Sequence, residues 1–258
     1  MNNLRITLVQ TQLAWEDVNK NIHRLNNLLI GVEETDIIVL PEMFTTGFTT
    51  NAAPLAKDSF EKGMTFLRKI ALVKNAAVCG SLICEEDGHY YNRFVWMSPA
   101  GEPIFYDKRH LFTMTNEHAY FNRGEREVMI EYKNWKIRPL ICYDLRFPVW
   151  SRNTKDNPYD LLIYVANWPE KRIVQWNKLL QARAIENVCY VAGVNRVGTD
   201  GNDFLYNGQT MMVTHKGDVE IFEDMKEEFR TFSINKEELL AYRNQFPVLN
   251  DADDFSIL

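Results

Sequence analysis

Apolar positions along the chain follow two spacings in turn. Short runs rich in β-branched and aromatic residues alternate with segments in which apolar residues recur every three or four positions. Residues 5–10 predict a first strand. In residues 16–29, Val18, Ile22, Leu25 and Leu29 fall on one face of a helix. The unbroken Ile-Ile-Val-Leu within residues 36–40 predicts a buried strand, and Phe60, Met64, Leu67, Ile70 and Ala71 mark a second helical face. Residues 77–85 and 90–98 predict neighbouring strands joined through Asp87-Gly88, whose tolerance of left-handed backbone suits a tight hairpin.

Beyond the turn at Ser98-Pro99-Ala100-Gly101 and a short strand at 103–106, the periodicity lapses. Residues 107–124 are polar and irregular, and a long irregular stretch inside a compact fold is usually functional or disordered. Order resumes with strands at 128–132 and 136–142 around Asn134, a strand at 161–166, a helix at 173–186, and strands at 188–195 and 209–214. A turn at 215–218, strands at 219–222 and 229–234, and a helix from about Lys236 complete the pattern. The alternation predicts an α/β layered fold. No repeat, low-complexity segment or linker divides the chain, so residues 1–258 are expected to form a single domain.

Composition narrows the function. Hydrophobic residues make up 46% of the 258 positions, enough for one large core. The 35 acidic residues exceed the 29 basic ones, a net charge of -6, which is the wrong sign for a nucleic-acid backbone or an anionic membrane. A small-molecule partner is expected instead. Met1-Asn2-Asn3-Leu4-Arg5 lacks the pattern of a secretory signal, and no apolar run reaches the roughly 20 residues that span a bilayer. Cys79, Cys84, Cys142 and Cys189 are too scattered for a disulfide framework, which predicts reduced thiols in the cytoplasm. No second pair of ligands follows Cys79 and Cys84 at metal-binding spacing.

Three strand ends carry candidate chemistry. Glu42 follows an apolar strand and Pro41, where open α/β sheets place their clefts. The alternative is a solvated loop glutamate. Lys108 follows the strand ending at Asp107. An ammonium there lowers a thiol pKa and stabilises an oxyanion, unless it is an ordinary surface lysine. Cys142 ends a strand before a sharp turn, a context that exposes a nucleophile; the alternative is a buried thiol acting as a small hydrophobe.

Together these blocks, Leu40-Pro41-Glu42-Met43-Phe44, Tyr106-Asp107-Lys108-Arg109-His110-Leu111-Phe112 and Leu140-Ile141-Cys142-Tyr143-Asp144-Leu145-Arg146-Phe147-Pro148, resemble the three signatures of the nitrilase superfamily of carbon–nitrogen hydrolases, in the family's order. Tyr164-Val165-Ala166-Asn167-Trp168-Pro169, Ala182-Arg183-Ala184-Ile185-Glu186-Asn187 and Asn195-Arg196-Val197-Gly198 are similar to the bacterial omega-amidase branch, which acts on 2-oxo-acid amides such as 2-oxoglutaramate.

The resemblance implies a four-layer αββα sandwich, paired into a homodimer or higher homo-oligomer. It implies Cys142 as nucleophile, Lys108 as oxyanion stabiliser, Glu42 as general base and Glu117 as a second active-site glutamate, without a metal or organic cofactor. The Tyr143 backbone N–H is implied as a further oxyanion donor. Tyr143-Asp144 differs from the Trp-Glu common in true nitrilases, which weakens the nitrile-hydrolysing alternative; an N-carbamoyl amide hydrolase is the other. For substrate binding, Tyr143, Trp168, Phe48 and Arg196 are candidates, whereas Arg146 is expected to lock the turn after the nucleophile.

Overall fold

The computed structural model describes residues 3–253, 255 and 256. Met1 and Asn2, part of the N-terminal stretch read above, lie outside the described residues.

The first half of the chain runs β1 (Asn3–Gln10), α1 (Val18–Leu29), β2 (Ile37–Val39), α2 (Ala52–Lys74), β3 (Ala77–Glu86), β4 (His89–Met97) and β5 (Ile104–Asp107). The second half runs β6 (Ile130–Tyr132), β7 (Trp135–Ile141), β8 (Leu161–Ala166), α3 (Ile173–Asn187), β9 (Tyr190–Asn195), β10 (Val197–Thr199), β11 (Leu205–Asn207), β12 (Met211–Val213), β13 (Val219–Ile221), β14 (Glu228–Asn235) and α4 (Lys236–Gln245). One six-stranded sheet has the order β14-β1-β2-β3-β4-β5 and the other β13-β12-β9-β8-β7-β6. The parallel trios are β1, β2, β3 and β7, β8, β9.

Period-two alternation sorts side chains between the layers. Leu4, Ile6 and Leu8 of β1 and Ile37 and Val39 of β2 join a buried cluster that also takes Ile137, Leu140 and Ile163 from the second sheet and Trp176, Leu180 and Ala184 from α3. Val9 and Ile38 point the other way, into a cluster with Leu25 and Leu29 of α1 and Phe66, Leu67 and Ile70 of α2. The layers are therefore helices, sheet, sheet, helix, the αββα sandwich that the family resemblance implies. Among the described residues no helix is long and apolar enough to cross a membrane.

Several boundaries move for local reasons. The first helix begins at Val18, because Glu16 has φ 53° and Asp17 caps the helix by accepting the Lys20 N–H. β7 ends at Ile141, and Cys142 opens a single 3-10 turn, Cys142–Arg146. The irregular stretch 107–124 holds two 3-10 turns, Thr113–Thr115 and Glu117–Ala119. The paired strands β10 and β11 were hidden by Gly198 and by their length of three residues each.

That irregular stretch is pinned where it matters. Gly124 donates its N–H to the Lys108 carbonyl at 2.9 Å, and a Cβ at position 124 would lie 2.1 Å from the Asp107 carbonyl oxygen. Gly124→Ala is therefore expected to destabilise the protein by about 1–3 kcal/mol through displacement of the Asp107-Lys108 backbone. A thermal melt checks this, and an unchanged Tm would mean that the loop yields without cost.

Candidate active site

β2, β5, β7 and β8 end at one edge of the sandwich; Lys108, Cys142 and Asn167 directly follow β5, β7 and β8, and Glu42 comes three residues after β2. Pro41 donates no N–H, so the regular ladder between β2 and β3 lapses beyond Leu40, and Glu42 is buried there. Glu42, Lys108 and Glu117 are 0%, 1% and 0% exposed. The Lys108 Nζ lies 3.1 Å from Glu42 Oε1 and 3.0 Å from each Glu117 oxygen. Both carboxylates also have backbone donors: the Asn167 N–H reaches Glu42 Oε2 at 2.7 Å, and the Phe112 N–H reaches Glu117 Oε2 at 2.5 Å.

Cys142 has φ 42°, a left-handed conformation that a cysteine holds only when its surroundings impose it. Asp144 is the clamp. Its Oδ2 accepts the Ile141 N–H at 3.0 Å and the Tyr106 hydroxyl at 2.7 Å, while its Oδ1 accepts the backbone N–H and ring Nδ1 of His110 at 3.0 and 2.8 Å. The turn after the nucleophile is thus tied to the strand that delivers Lys108. The Cys142 sulfur lies 3.9 Å from the Asn167 carbonyl oxygen.

Electrostatics assign protonation states. Burial alone would lower the Lys108 pKa, but Glu117 and then Glu42 outweigh it and keep the ammonium charged. Burial raises the Glu117 pKa, Lys108 opposes that rise, and Glu42 adds to it. The Cys142 thiol is pushed well up, first by burial and then by the Glu42 charge, against a smaller lowering by Lys108. The sequence had suggested a lysine that lowers the thiol pKa. That influence is present, yet it loses to burial and Glu42, so the resting nucleophile is a neutral thiol.

The cleft opens into a cavity of about 670 Å³. Phe48, Tyr143 and Trp168, all named from the sequence, line it with Lys108 and Cys142. Arg196 does not. It is fully buried, donating to the carbonyls of Leu13 and Val197 and lying over the Tyr206 ring. Arg146 reverses its expectation as well: instead of locking the turn, its guanidinium lines the cavity, stacked 5.1 Å over Trp168. A role in the turn falls to Asp144.

Sequence reasoning missed Arg172, which lines the same cavity, and Asn92, whose Nδ2 donates to Glu42 Oε1 at 2.7 Å. Asn92 lies in the buried part of β4 but beside Arg93 and ahead of the apolar run at 94–97, so the sequence pattern did not single it out. Arg172 follows β8 in a 3-10 turn and left no signal either.

Residues 5–243 match the carbon–nitrogen hydrolase family. The chain is 44% identical to the omega-amidase YafV of Escherichia coli, with the whole of both chains covered. It is 31% identical to the 2-oxoglutaramate amidase of Bacillus subtilis, covering 95% of this chain and 96% of that one. XC1258 from Xanthomonas campestris, a CN-hydrolase superfamily protein with an arsenic adduct in its active site, superposes with a TM-score of 0.95 at 38% identity over the full length of both.

Two buried carboxylates around one ammonium set a stability test. Lys108→Met leaves both without a cation and is expected to cost about 3–5 kcal/mol. Burial already raises the Glu117 pKa and Lys108 opposes that rise, so without the ammonium the Glu117 carboxyl titrates higher still; the loss is smallest at pH below the ordinary carboxylate range and grows as pH rises through the elevated folded value. Adding Glu117→Gln should recover part of the loss at neutral pH. Urea unfolding of the single and double variants at acid and neutral pH measures both effects, and a loss independent of pH would contradict them.

Proposed function

The chain belongs to the carbon–nitrogen hydrolase family, and on that premise we propose that it hydrolyses the terminal amide of a small 2-oxo-acid amide, 2-oxoglutaramate or 2-oxosuccinamate, to the acid and ammonia. The observation that carries the reading is the pair of arginines, Arg146 and Arg172, in the wall of the cavity that holds Cys142 and Lys108. A guanidinium binds a carboxylate through paired hydrogen bonds. Phe48, Phe112 and Trp168 supply an apolar wall for the short carbon chain between carboxylate and amide.

The chemistry follows from the protonation states. Because the resting thiol is neutral, Glu42 takes its proton as the sulfur attacks the amide carbon. The tetrahedral oxyanion is stabilised by the Lys108 ammonium and the Tyr143 backbone N–H. Glu42 returns the proton to the departing nitrogen and ammonia leaves. In the thioester that remains, Glu42 takes a proton from water, hydroxide adds to the acyl carbon, and collapse releases the acid and restores the thiol. Glu117 never exchanges a proton in this scheme; it holds Lys108 in position. The fourfold set of unpaired cysteines supports a cytoplasmic location. Exposed Val149, Val174, Ile185 and Phe246 support assembly into a homodimer or higher homo-oligomer.

Ammonia release from 2-oxoglutaramate, an N-carbamoyl amino acid and a simple nitrile tests the substrate class. Preference for either of the last two would replace it. Arg146→Ala is expected to raise KM for 2-oxoglutaramate by about 10- to 100-fold, the loss of a hydrogen bond to a charged group, with little effect on an uncharged amide. Equal effects on both amides would remove Arg146 from carboxylate binding.

Cys142→Ala is expected to abolish turnover with the fold retained. His110→Asn should keep substantial activity, because His110 touches Asp144 and stacks on Phe147 at 3.8 Å. Complete loss on changing His110 in a folded protein would indicate a cysteine–histidine pair instead.

A further inference from the structure

Buried polar side chains on β3 and β4 form a directed chain that ends on Glu42. Ser81 and Asn92 are both fully buried, as is the backbone of Met43 next to the base. The Met43 N–H, which can only donate, meets Ser81 Oγ at 2.8 Å. Ser81 therefore has its own proton free for Asn92 Oδ1, 2.7 Å away. With Oδ1 so occupied, the Asn92 amide is fixed in one of its two orientations, and its Nδ2 faces Glu42 Oε1 at 2.7 Å. The Asn92 carbonyl meanwhile accepts the Lys108 N–H at 3.0 Å, so one residue touches the segments of both the base and the oxyanion cation.

The count of lone pairs on Glu42 gives this chain a meaning. Oε1 accepts from Asn92 and from Lys108, which fills it. Oε2 accepts the Asn167 N–H at 2.7 Å; the Asn167 amide has its short bond, also 2.7 Å, to the Glu42 carbonyl and only a marginal 3.5 Å approach to Oε2. A carboxylate oxygen has room for two donors. We propose that Asn92, oriented by Ser81, is a positioning residue for the base: its amide completes Oε1 and leaves the open lone pair of Oε2 to receive the Cys142 proton. The proposal rests on Glu42 as the general base. A neutral amide suits the task better than an ion, since a cation at position 92 would weaken the base and an anion would repel it.

The test is the pH profile of kcat/KM for Asn92→Asp, which is nearly isosteric. Its carboxyl donates to Oε1 only while protonated, and burial beside Glu42 raises the pH at which that proton is lost. Turnover should survive on the acid side, and the alkaline limb should move down by more than about one pH unit. A role in packing alone would scale the profile without moving the limb. Ser81→Ala removes the orienting hydroxyl and adds no charge. It should lower kcat by about 10- to 100-fold with KM little changed, and it decides the matter if Asn92→Asp fails to fold.

Glu42→Gln is measured beside them, with 2-oxoglutaramate and with p-nitrophenyl acetate, an activated ester that needs the thiol but no carboxylate-binding arginine. Inactive Glu42→Gln together with an unmoved limb in Asn92→Asp, or with wild-type kcat in Ser81→Ala, overturns the relay alone. An active Glu42→Gln removes the base and the relay with it. Turnover of the ester but not the amide by the wild type overturns only the proposed substrate, and the relay is then read on the ester.

Discussion

The cleft depends on one arrangement, the Lys108 ammonium enclosed by Glu42 and Glu117 with almost no access to water. Desolvating three charges costs several kcal/mol per ion, and their attraction compensates only when hydrogen bonding is nearly complete. It is nearly complete here because the irregular stretch after β5 folds back, bringing Glu117 to the ammonium and the Phe112 N–H to the Glu117 carboxylate. A segment without periodic secondary structure is therefore ordered by an ion pair. The fold and the catalytic centre share this interaction, so the centre cannot be loosened without loosening the loop.

The nucleophile and the base both sit on bent backbone. Cys142 has φ 42° and Met43, the neighbour of Glu42, has φ 43°. Left-handed backbone in such residues costs on the order of 1–3 kcal/mol and persists only where the surroundings over-determine it. At the first bend the Asp144 carboxylate collects donors from three segments. At the second, Ser81 takes the Met43 N–H while the Met43 carbonyl accepts from Gly47 at 2.8 Å. Each bend aims a side chain across the gap between the two sheets, which a straight strand end would not do.

Legibility in the sequence followed how local the cause was. Strands and helices with several apolar repeats, such as β3, β4 and α1, were readable because burial imposes the period. Glu42, Lys108 and Cys142 were readable because each lies at or just beyond the end of a strand. β10 and β11 were not, since three residues carry no period and their pairing depends on contacts distant in sequence. The two arginines show the limit most clearly. Arg196 and Arg146 each follow a strand or a turn near the cleft, yet one is swallowed beneath Tyr206 and the other reaches the cavity. Side-chain direction beyond a strand end is set by packing that the local pattern does not encode.

Charge placement then links the cleft to the kind of molecule it accepts. With the thiol neutral, the catalytic centre carries two carboxylates and one ammonium, a net negative charge in a site shielded from water. Such a centre repels a carboxylate at the reacting carbon and tolerates an uncharged amide there. The compensating charges, Arg146 and Arg172, lie in the cavity wall, on the turns that follow β7 and β8. On the proposed reading, a substrate bearing both groups has one favourable orientation, with its carboxylate toward the guanidiniums and its amide at Cys142. The product acid loses that advantage, because hydrolysis puts a second carboxylate against the negative centre. The same electrostatic asymmetry that orients the amide therefore favours release of the acid.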